Sequence, residues 1–235
     1  MRQLILTIIS CSYLFADKPI TAKNILDLEY ISQPSINVGG TRIAYVKSVP
    51  PSSQSKSRSS FREVWVTDVD GTNQRQFTSG PNNSWSPEWT PDGNLSFLSL
   101  RKEHNKFTQI YTIPTDGGEA VPLTSHTGSV SSYSWSPNGR WIAFISKDKI
   151  SIEEQERRTE GYDMIVVGKE QLYNRLWIFD LETKSHETIF RQDLNVSNFV
   201  WSPDSKFIIF QASEKVNIDQ EYLESSIYLV KAPSG

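Results

Sequence analysis

The sequence has very few of the residues that most often carry chemistry. Its 235 residues include one cysteine, Cys11, and three histidines. One cysteine cannot form an internal disulfide, and loss of a leader containing it would leave no thiol nucleophile. His104, His126 and His186 lack the spacing of a metal site, so we expect surface residues rather than ligands. The sequence therefore predicts neither a metal nor a cofactor.

The recurrent signatures of catalysis are missing as well. The sequence contains no Gly-x-Ser-x-Gly nucleophile elbow, no P-loop, no dinucleotide fingerprint and no His-Glu-x-x-His. We therefore name no catalytic, cofactor-binding or metal-binding residue, and we leave open whether the chain belongs to an enzyme. The net charge of -3 shows no basic surplus, which argues against nucleic acid as a partner.

Long apolar runs are scarce, and the main one stands at the amino terminus. Residues 1–16 combine the basic Arg2, an apolar run and a cleavage point after Ala16. This pattern predicts a signal peptide over 1–16, a lead-in over 17–30, and export to the periplasm or the medium. Lipidation at Cys11, a buried first strand and a membrane anchor are the alternatives, although the run is short for a bilayer span.

What the sequence does contain is a repeated phrase, Trp-Ser-Pro-Asp-Gly, followed each time by an apolar strand. It stands at residues 89–93, 135–139 and 201–205, with a degenerate copy at 36–40. Proline presets a turn and glycine reaches left-handed backbone, so each copy predicts the turn of an antiparallel hairpin. Ser205 replaces the glycine of the last copy, which should cost about 1 kcal/mol if that position is left-handed.

A second pair of strand candidates follows each of the first three hairpins. Four short antiparallel strands per unit, repeated along a chain, are typical of β-propeller blades. The predicted fold is all-β, a partial propeller over residues 31–235 with about four four-stranded blades. The fourth unit supplies three strands before Gly235, so we expect an incomplete last blade and a chain that is a fragment. The aromatic residues that recur in the strands are predicted to be blade core: Trp65, Tyr111, Trp177 and Tyr228.

Two connections between second and third strands are longer than the others. Residues 49–62 are rich in serine, and residues 147–174 carry a run of charges. In an up-and-down blade both emerge on the face opposite the repeated turns. That face is a candidate for a partner or a gate, and solvated loops without a function are the alternative.

Several phrases resemble the N-terminal β-propeller of the prolyl oligopeptidase family, in its acylaminoacyl-peptidase and dipeptidyl-peptidase-like branch. They stand at residues 42–46, 85–93, 116–124 and 174–180. The resemblance spans roughly residues 20–235. In that family the propeller caps an α/β-hydrolase domain with a Ser-Asp-His triad, and it restricts access to short peptides.

The resemblance implies that this chain is the non-catalytic, gating and substrate-positioning portion of an exported serine peptidase. Its implied partners are a C-terminal α/β-hydrolase domain, absent here, and short peptide substrates. No catalytic residue is carried over, because none of the hydrolase motifs occurs in these residues. Propellers of the Tol translocation system share the repeat, so a protein-binding scaffold is the alternative function.

Overall fold

The computed structural model describes residues 20–51, 60–80, 82–101, 106–161, 172–190 and 192–233. The predicted signal peptide, Cys11, His104 and parts of both long connections lie outside these residues. Within the described residues, no helix is long and apolar enough to cross a membrane.

The described strands form four separate antiparallel sheets, each of which is one blade. Blade 1 contains β1 Tyr30–Ile36, β2 Arg42–Val49, β3 Phe61–Asp68 and β4 Arg75–Gln76. Blade 2 contains β5 Ser84–Trp89, β6 Leu95–Ser99, β7 Gln109–Ile113 and β8 Val121–Pro122. Blade 3 contains β9 Val130–Trp135, β10 Trp141–Lys147, β11 Asn174–Asp180 and β12 His186–Thr188. Blade 4 contains β13 Asn195–Trp201, β14 Phe207–Ser213 and β15 Ser226–Lys231.

Strand order in every sheet follows chain order, so each blade is an up-and-down meander. This confirms the prediction of an all-β partial propeller, in which the described part of the fourth blade has three strands. Among the described residues, three short helices lie outside the sheets: α1 Ala22–Leu26, α2 Ile152–Thr159 and α3 Ile218–Leu223. Helix α2 lies in the charged connection of blade 3, where a run of Glu, Gln and Arg favours helix; the sequence analysis did not predict it.

The repeated phrase folds as the turn between the first two strands of a blade. Gly93 and Gly139 have φ of 86° and 73°, and Ser205 in the last copy has φ of 60°. The serine of the phrase also closes the hairpin, because Ser136 Oγ accepts the backbone N–H of Trp141 at 2.9 Å. The predicted left-handed position is therefore present in all three copies, including the one that lacks glycine.

Three apolar cores lie between neighbouring blades rather than inside single ones. Alternation along β10 shows how this works, because Ile142 and Phe144 pack toward blade 2 while Ala143 and Ile145 pack toward blade 4. Successive strand residues point to opposite faces, so every central strand contributes to two cores. A blade that is buried on both faces needs apolar residues at nearly every position, as residues 141–146 have.

Of the recurrent aromatic residues predicted to be core, Tyr111 is fully buried, Trp177 and Tyr228 are partly buried against the cores, and Trp65 is only partly buried. They pair across the second and third strands of a blade as stacked rings: Phe97 with Tyr111 at 6.1 Å, Phe144 with Trp177 at 6.2 Å, and Phe210 with Tyr228 at 5.3 Å. In blade 1 the matching pair is Tyr45 opposite Trp65. Offset stacks of this kind add to the energy of burial.

The expectation that the histidines lie at the surface is wrong for His126. Its side chain is 4% exposed and contacts the rings of Trp177 at 4.5 Å, His186 at 4.8 Å and Phe144 at 5.2 Å. Burial, with a smaller contribution from His186 and Lys149, lowers the pKa of His126 to about 4. A neutral imidazole is a flat and largely apolar ring, so it fills the edge of this aromatic cluster without a charged partner.

Candidate functional site on the channel wall

The first strand of each blade forms the inner edge of its sheet, and β1, β5 and β9 lie side by side. Tryptophans of the repeated phrase join them, since Trp89 Nε1 donates to the carbonyl of Ser35 at 3.0 Å across blades 1 and 2. Trp201 Nε1 similarly donates to the carbonyl of Ser134 at 3.2 Å across blades 3 and 4. The described blades do not close into a ring. In a closed propeller the blades surround a central channel, and we expect these three strands to form its wall.

A cavity of about 510 Å³ opens on this wall at the end that carries the repeated turns. We call it the wall cavity. Its lining comes from three consecutive blades and is mostly aromatic, proline and aliphatic surface: Ser35, Ile36, Val38, Glu88, Trp89, Pro91, Trp135, Ser136 and Pro137. Glu88 is the one ionisable side chain in this lining. The cavity therefore combines a single carboxylate with flat apolar walls.

A β-bulge sets the position of Glu88. The pairing of β5 with β6 shifts register between Trp85 and Glu88, and Ser86 has φ of 50° in front of Pro87. Proline cannot donate to the sheet ladder, so in a strand it is found at edges and bulges. The extra residue changes the alternation of the residues that follow it, and bulges recur beside functional sites for this reason.

The neighbouring inner strand has a matching bulge that fixes the first one. Strand β1 shifts register between Ser32 and Ser35, where Gln33 has φ of 52°. The Gln33 side-chain carbonyl accepts the backbone N–H of Ser86 at 2.8 Å. Two irregular segments are thus locked together across the boundary between blades 1 and 2.

A hydrogen-bond network lies beneath Glu88 at the boundary between blades 2 and 3. Buried Ser96 is its centre: Ser96 Oγ lies 3.0 Å from the Tyr133 hydroxyl and from the Glu88 carbonyl oxygen, and it accepts Trp135 Nε1–H at 2.9 Å. The Tyr133 hydroxyl also donates to the carbonyl of Ser86 at 2.9 Å. We call Ser96, Tyr133 and Trp135 the floor network, because they hold the strand that carries Glu88.

The electrostatics of the cavity depend on the half-buried Glu88 carboxyl group. Burial raises the pKa of Glu88 to about 7, although a hydrogen bond from the backbone of Trp135 opposes the shift. Burial and the nearby Glu88 charge raise the pKa of Tyr133 well above its ordinary value, so Tyr133 remains a neutral hydroxyl. Glu88 is consequently close to half ionised at neutral pH, and a cation in the cavity would complete its ionisation.

This arrangement suits binding rather than bond breaking. The cavity offers a carboxylate, aromatic and proline side chains, and a frame fixed by hydrogen bonds. Sequence reasoning named no site residue and missed Glu88. A signal was present, because proline within the strand at Ser86-Pro87-Glu88 marks a bulge.

No protein-family model matches the chain. In sequence it is 28% identical over 211 residues to the uncharacterized peptidase YuxL of Bacillus subtilis (strain 168), which covers 83% of this chain and 31% of the relative. It is 22% identical over 142 residues to dipeptidyl-peptidase 5 of Porphyromonas endodontalis, which covers 60% of this chain and 20% of the relative. The chain thus spans less than a third of the length of these relatives.

Among solved structures, the chain is similar to acylaminoacyl peptidase of Pyrococcus horikoshii, with a TM-score of 0.63. Sequence identity is 16%, and the match covers 89% of this chain and 32% of that one. At this identity the structural match shows the shared fold alone. Together with the sequence relatives, it confirms the resemblance to propellers of the prolyl oligopeptidase family. The chain has the propeller fold and is similar in sequence to these peptidases.

Proposed function

We propose that this chain is the non-catalytic propeller portion of an exported serine peptidase, in which it gates access and positions short peptides. The observation that carries the proposal is the similarity to YuxL, a named peptidase, over 83% of this chain. The serine chemistry would belong to a C-terminal α/β-hydrolase domain outside these residues. The propeller would then select substrates by what its channel admits.

The channel wall supports the positioning part of this proposal. A peptide that enters along β1, β5 and β9 meets the wall cavity, which has room for one side chain or one chain end. The bulges and the floor network hold the cavity rigid, and a rigid site loses less entropy when it binds a flexible peptide.

Size selection is the property that tests the gating role. The complete gene product that contains this chain is assayed on peptides of three, ten and thirty residues and on casein, with a serine-reactive fluorophosphonate probe. We expect labelling of a serine outside residues 20–233 and rates that fall steeply with substrate length. The control is the same protein without residues 20–233, in which longer substrates should gain access.

Two outcomes would contradict the peptidase proposal. Casein cleaved as fast as a tripeptide by the complete protein would remove the gating role. Absence of any labelled serine, combined with a stable complex with a folded protein, would instead support the Tol-type scaffold.

Export is tested separately, by fractionating cells and sequencing the amino terminus of the mature protein. We expect a chain that begins after Ala16 outside the cytoplasm, or one that begins with a lipid-modified Cys11. A cytoplasmic protein that retains Met1 would contradict export and leave the peptidase proposal intact.

A further inference from the structure

Several acids of the blades are paired with arginines, whereas Glu88 is half-buried without such a partner. Asp68 lies 3.6 Å from Arg42, Asp180 lies 3.2 Å from Arg140, and Asp148 lies 3.0 Å from Arg175. Within the described part of the chain, Glu88 forms no salt bridge. A half-buried carboxylate without a counter-ion is costly to keep ionised, so a ligand of opposite charge at the cavity would be stabilised by it.

The walls that surround Glu88 define what kind of cation it would take. Trp89 and Trp135 share the lining with Glu88, together with Pro91 and Pro137 of the repeated turns. A small hydrated metal ion gains little from such walls, and the lining offers few other oxygen ligands. An organic cation would be stabilised by the aromatic residues and by the apolar lining. Its guanidinium or ammonium group can interact with an aromatic face, and its aliphatic stem can be buried against apolar surface.

We infer that the wall cavity binds an organic cation of a peptide, a guanidinium or ammonium group on an apolar stem, with Glu88 as its counter-ion. That the ligand is a peptide rests on the proposed function, whereas the cation chemistry follows from the cavity alone. A volume of about 510 Å³ is in the range of small-ligand sites and exceeds one amino-acid side chain. The same chemistry has two peptide sources, an Arg or Lys side chain and the free amino terminus.

Binding should release a proton. Because burial keeps part of the Glu88 population protonated near neutral pH, a bound cation will drive the carboxyl group to its ionised form. Tyr133 is the other titratable group that faces Glu88 among the described residues, and it stays neutral in this range. The number of protons released is therefore a direct signature of Glu88.

Titration calorimetry at pH 7 in two buffers of different ionisation heat measures both affinity and proton release. The protein is titrated with N-acetyl-arginine amide, which is cationic at its side chain, and with glycylglycine amide, which is cationic at its amino terminus. N-acetyl-citrulline amide is the neutral isostere. We expect at least one cation to bind with release of a fraction of a proton, and citrulline amide to bind about tenfold more weakly or not at all.

Glu88→Gln should weaken cation binding about tenfold or more and abolish the proton release. Glu187→Gln is the matched control, because Glu187 is an exposed acid on outer strand β12. Val38→Lys offers a second variant that leaves the floor network intact. Val38 lines the cavity and is 94% exposed, so the new ammonium group should occupy the site and compete with added ligand.

The two cationic ligands identify which part of a peptide the cavity binds. Binding of the arginine amide alone indicates an Arg or Lys side chain, and binding of glycylglycine amide alone indicates the free amino terminus. Equal affinity for citrulline and arginine amides would overturn the inference, as would unchanged affinity in both Glu88→Gln and Val38→Lys. Cation binding by the complete gene product, combined with no peptidase activity of that complete protein, would keep the inference and remove the proposed function.

Discussion

The boundary between blades 2 and 3 and the boundary between blades 3 and 4 are built on the same plan but filled differently. The second has an apolar core, in which Trp141 stacks on Trp201 at a centroid distance of 6.5 Å, and hydrogen bonds such as that from Trp201 Nε1 to the carbonyl of Ser134. The first has an apolar core too, but it adds the floor network and the half-buried Glu88. Hydrogen bonds cross both boundaries, so what is particular to the boundary of blades 2 and 3 is the half-buried carboxyl group of Glu88. The wall cavity offers an explanation for that group.

The largest expected effect is at the apolar boundary. Trp201→Ala removes a side chain that is 7% exposed, its stack on Trp141 and its hydrogen bond to Ser134. We expect the free energy of unfolding to fall by about 3–5 kcal/mol, measured by urea denaturation. Val200→Ala is the control on the adjacent residue, which is 58% exposed and should change stability by less than about 0.5 kcal/mol. Similar losses in the two variants would show that this boundary is not packed as described.

The pH dependence of stability separates the two buried titratable groups near blades 2 and 3, because their pKa shifts have opposite signs. His126 has a lowered pKa, so its contribution is complete above about pH 6.5 and is lost as the pH falls toward about 4. Glu88 has a raised pKa, so its contribution is complete below about pH 4.5 and is lost as the pH rises through about 7. Each shift corresponds to roughly 3 kcal/mol across its window.

Two variants test these signs by unfolding midpoints between pH 4 and 8. His126→Phe keeps an aromatic ring and should abolish the loss of stability in acid. Glu88→Gln should abolish the loss of stability between about pH 4.5 and 7. It should leave the loss of stability at acid pH, which belongs to His126, unchanged. Unchanged pH profiles in both variants would contradict the burial of these groups.

The next smaller effect tests the polar boundary itself. Ser96→Ala removes the hydroxyl that accepts from Trp135 Nε1 and contacts the Tyr133 hydroxyl. We expect a loss of about 2 kcal/mol in the free energy of unfolding, because buried polar atoms are left without partners. Ser197→Ala is the control, since the Ser197 hydroxyl is exposed and bonds only within its own blade. A loss no larger than that of the control would mean that the floor network does not support blade 2 against blade 3.

The blades could be predicted because their signals are local. Turn residues at 136–139 and the apolar run at 141–145 are contiguous, so composition and spacing determined the hairpin. The long connection of blade 3 was likewise located correctly between its second and third strands. Helix α2 within it was missed, because a charged run has no apolar face that distinguishes helix from loop.

The wall cavity could not be predicted, because it does not exist in any one blade. Ile36, Glu88 and Trp135 are more than 40 residues apart in successive repeats and come together only when three blades are stacked. The burial of His126 has the same origin, since its contacts with Trp177 and His186 are made by a segment that packs onto the following blade. A sequence repeat is enough to predict the single blade. A site between blades depends on how neighbouring blades stack, and the sequence of one repeat does not specify that.

The smallest expected effect on stability concerns Ser205, whose hydroxyl forms a hydrogen bond between blades 3 and 4. A left-handed serine costs about 1 kcal/mol relative to glycine, and Ser205 has φ of 60°. Its buried hydroxyl, however, accepts the backbone N–H of Asn138 from the turn of blade 3 at 3.0 Å. Ser205→Gly removes the strain and the hydrogen bond together, so we expect the free energy of unfolding to change by less than about 0.5 kcal/mol.

Ser205→Ala tests whether the hydrogen bond of the Ser205 hydroxyl offsets the strain of its left-handed backbone. Alanine retains the left-handed strain but has no oxygen to accept from Asn138, so it should destabilise the protein by about 1–2 kcal/mol relative to the glycine variant. Gly139 gives the contrast at the other boundary, where a Cβ atom would lie 3.1 Å from Pro91 and no serine could be accommodated without displacement. Equal stability of the alanine and glycine variants would show that the Ser205 hydroxyl contributes nothing across blades 3 and 4. The serine of the last copy would then be a tolerated loss of glycine rather than a contact between two blades.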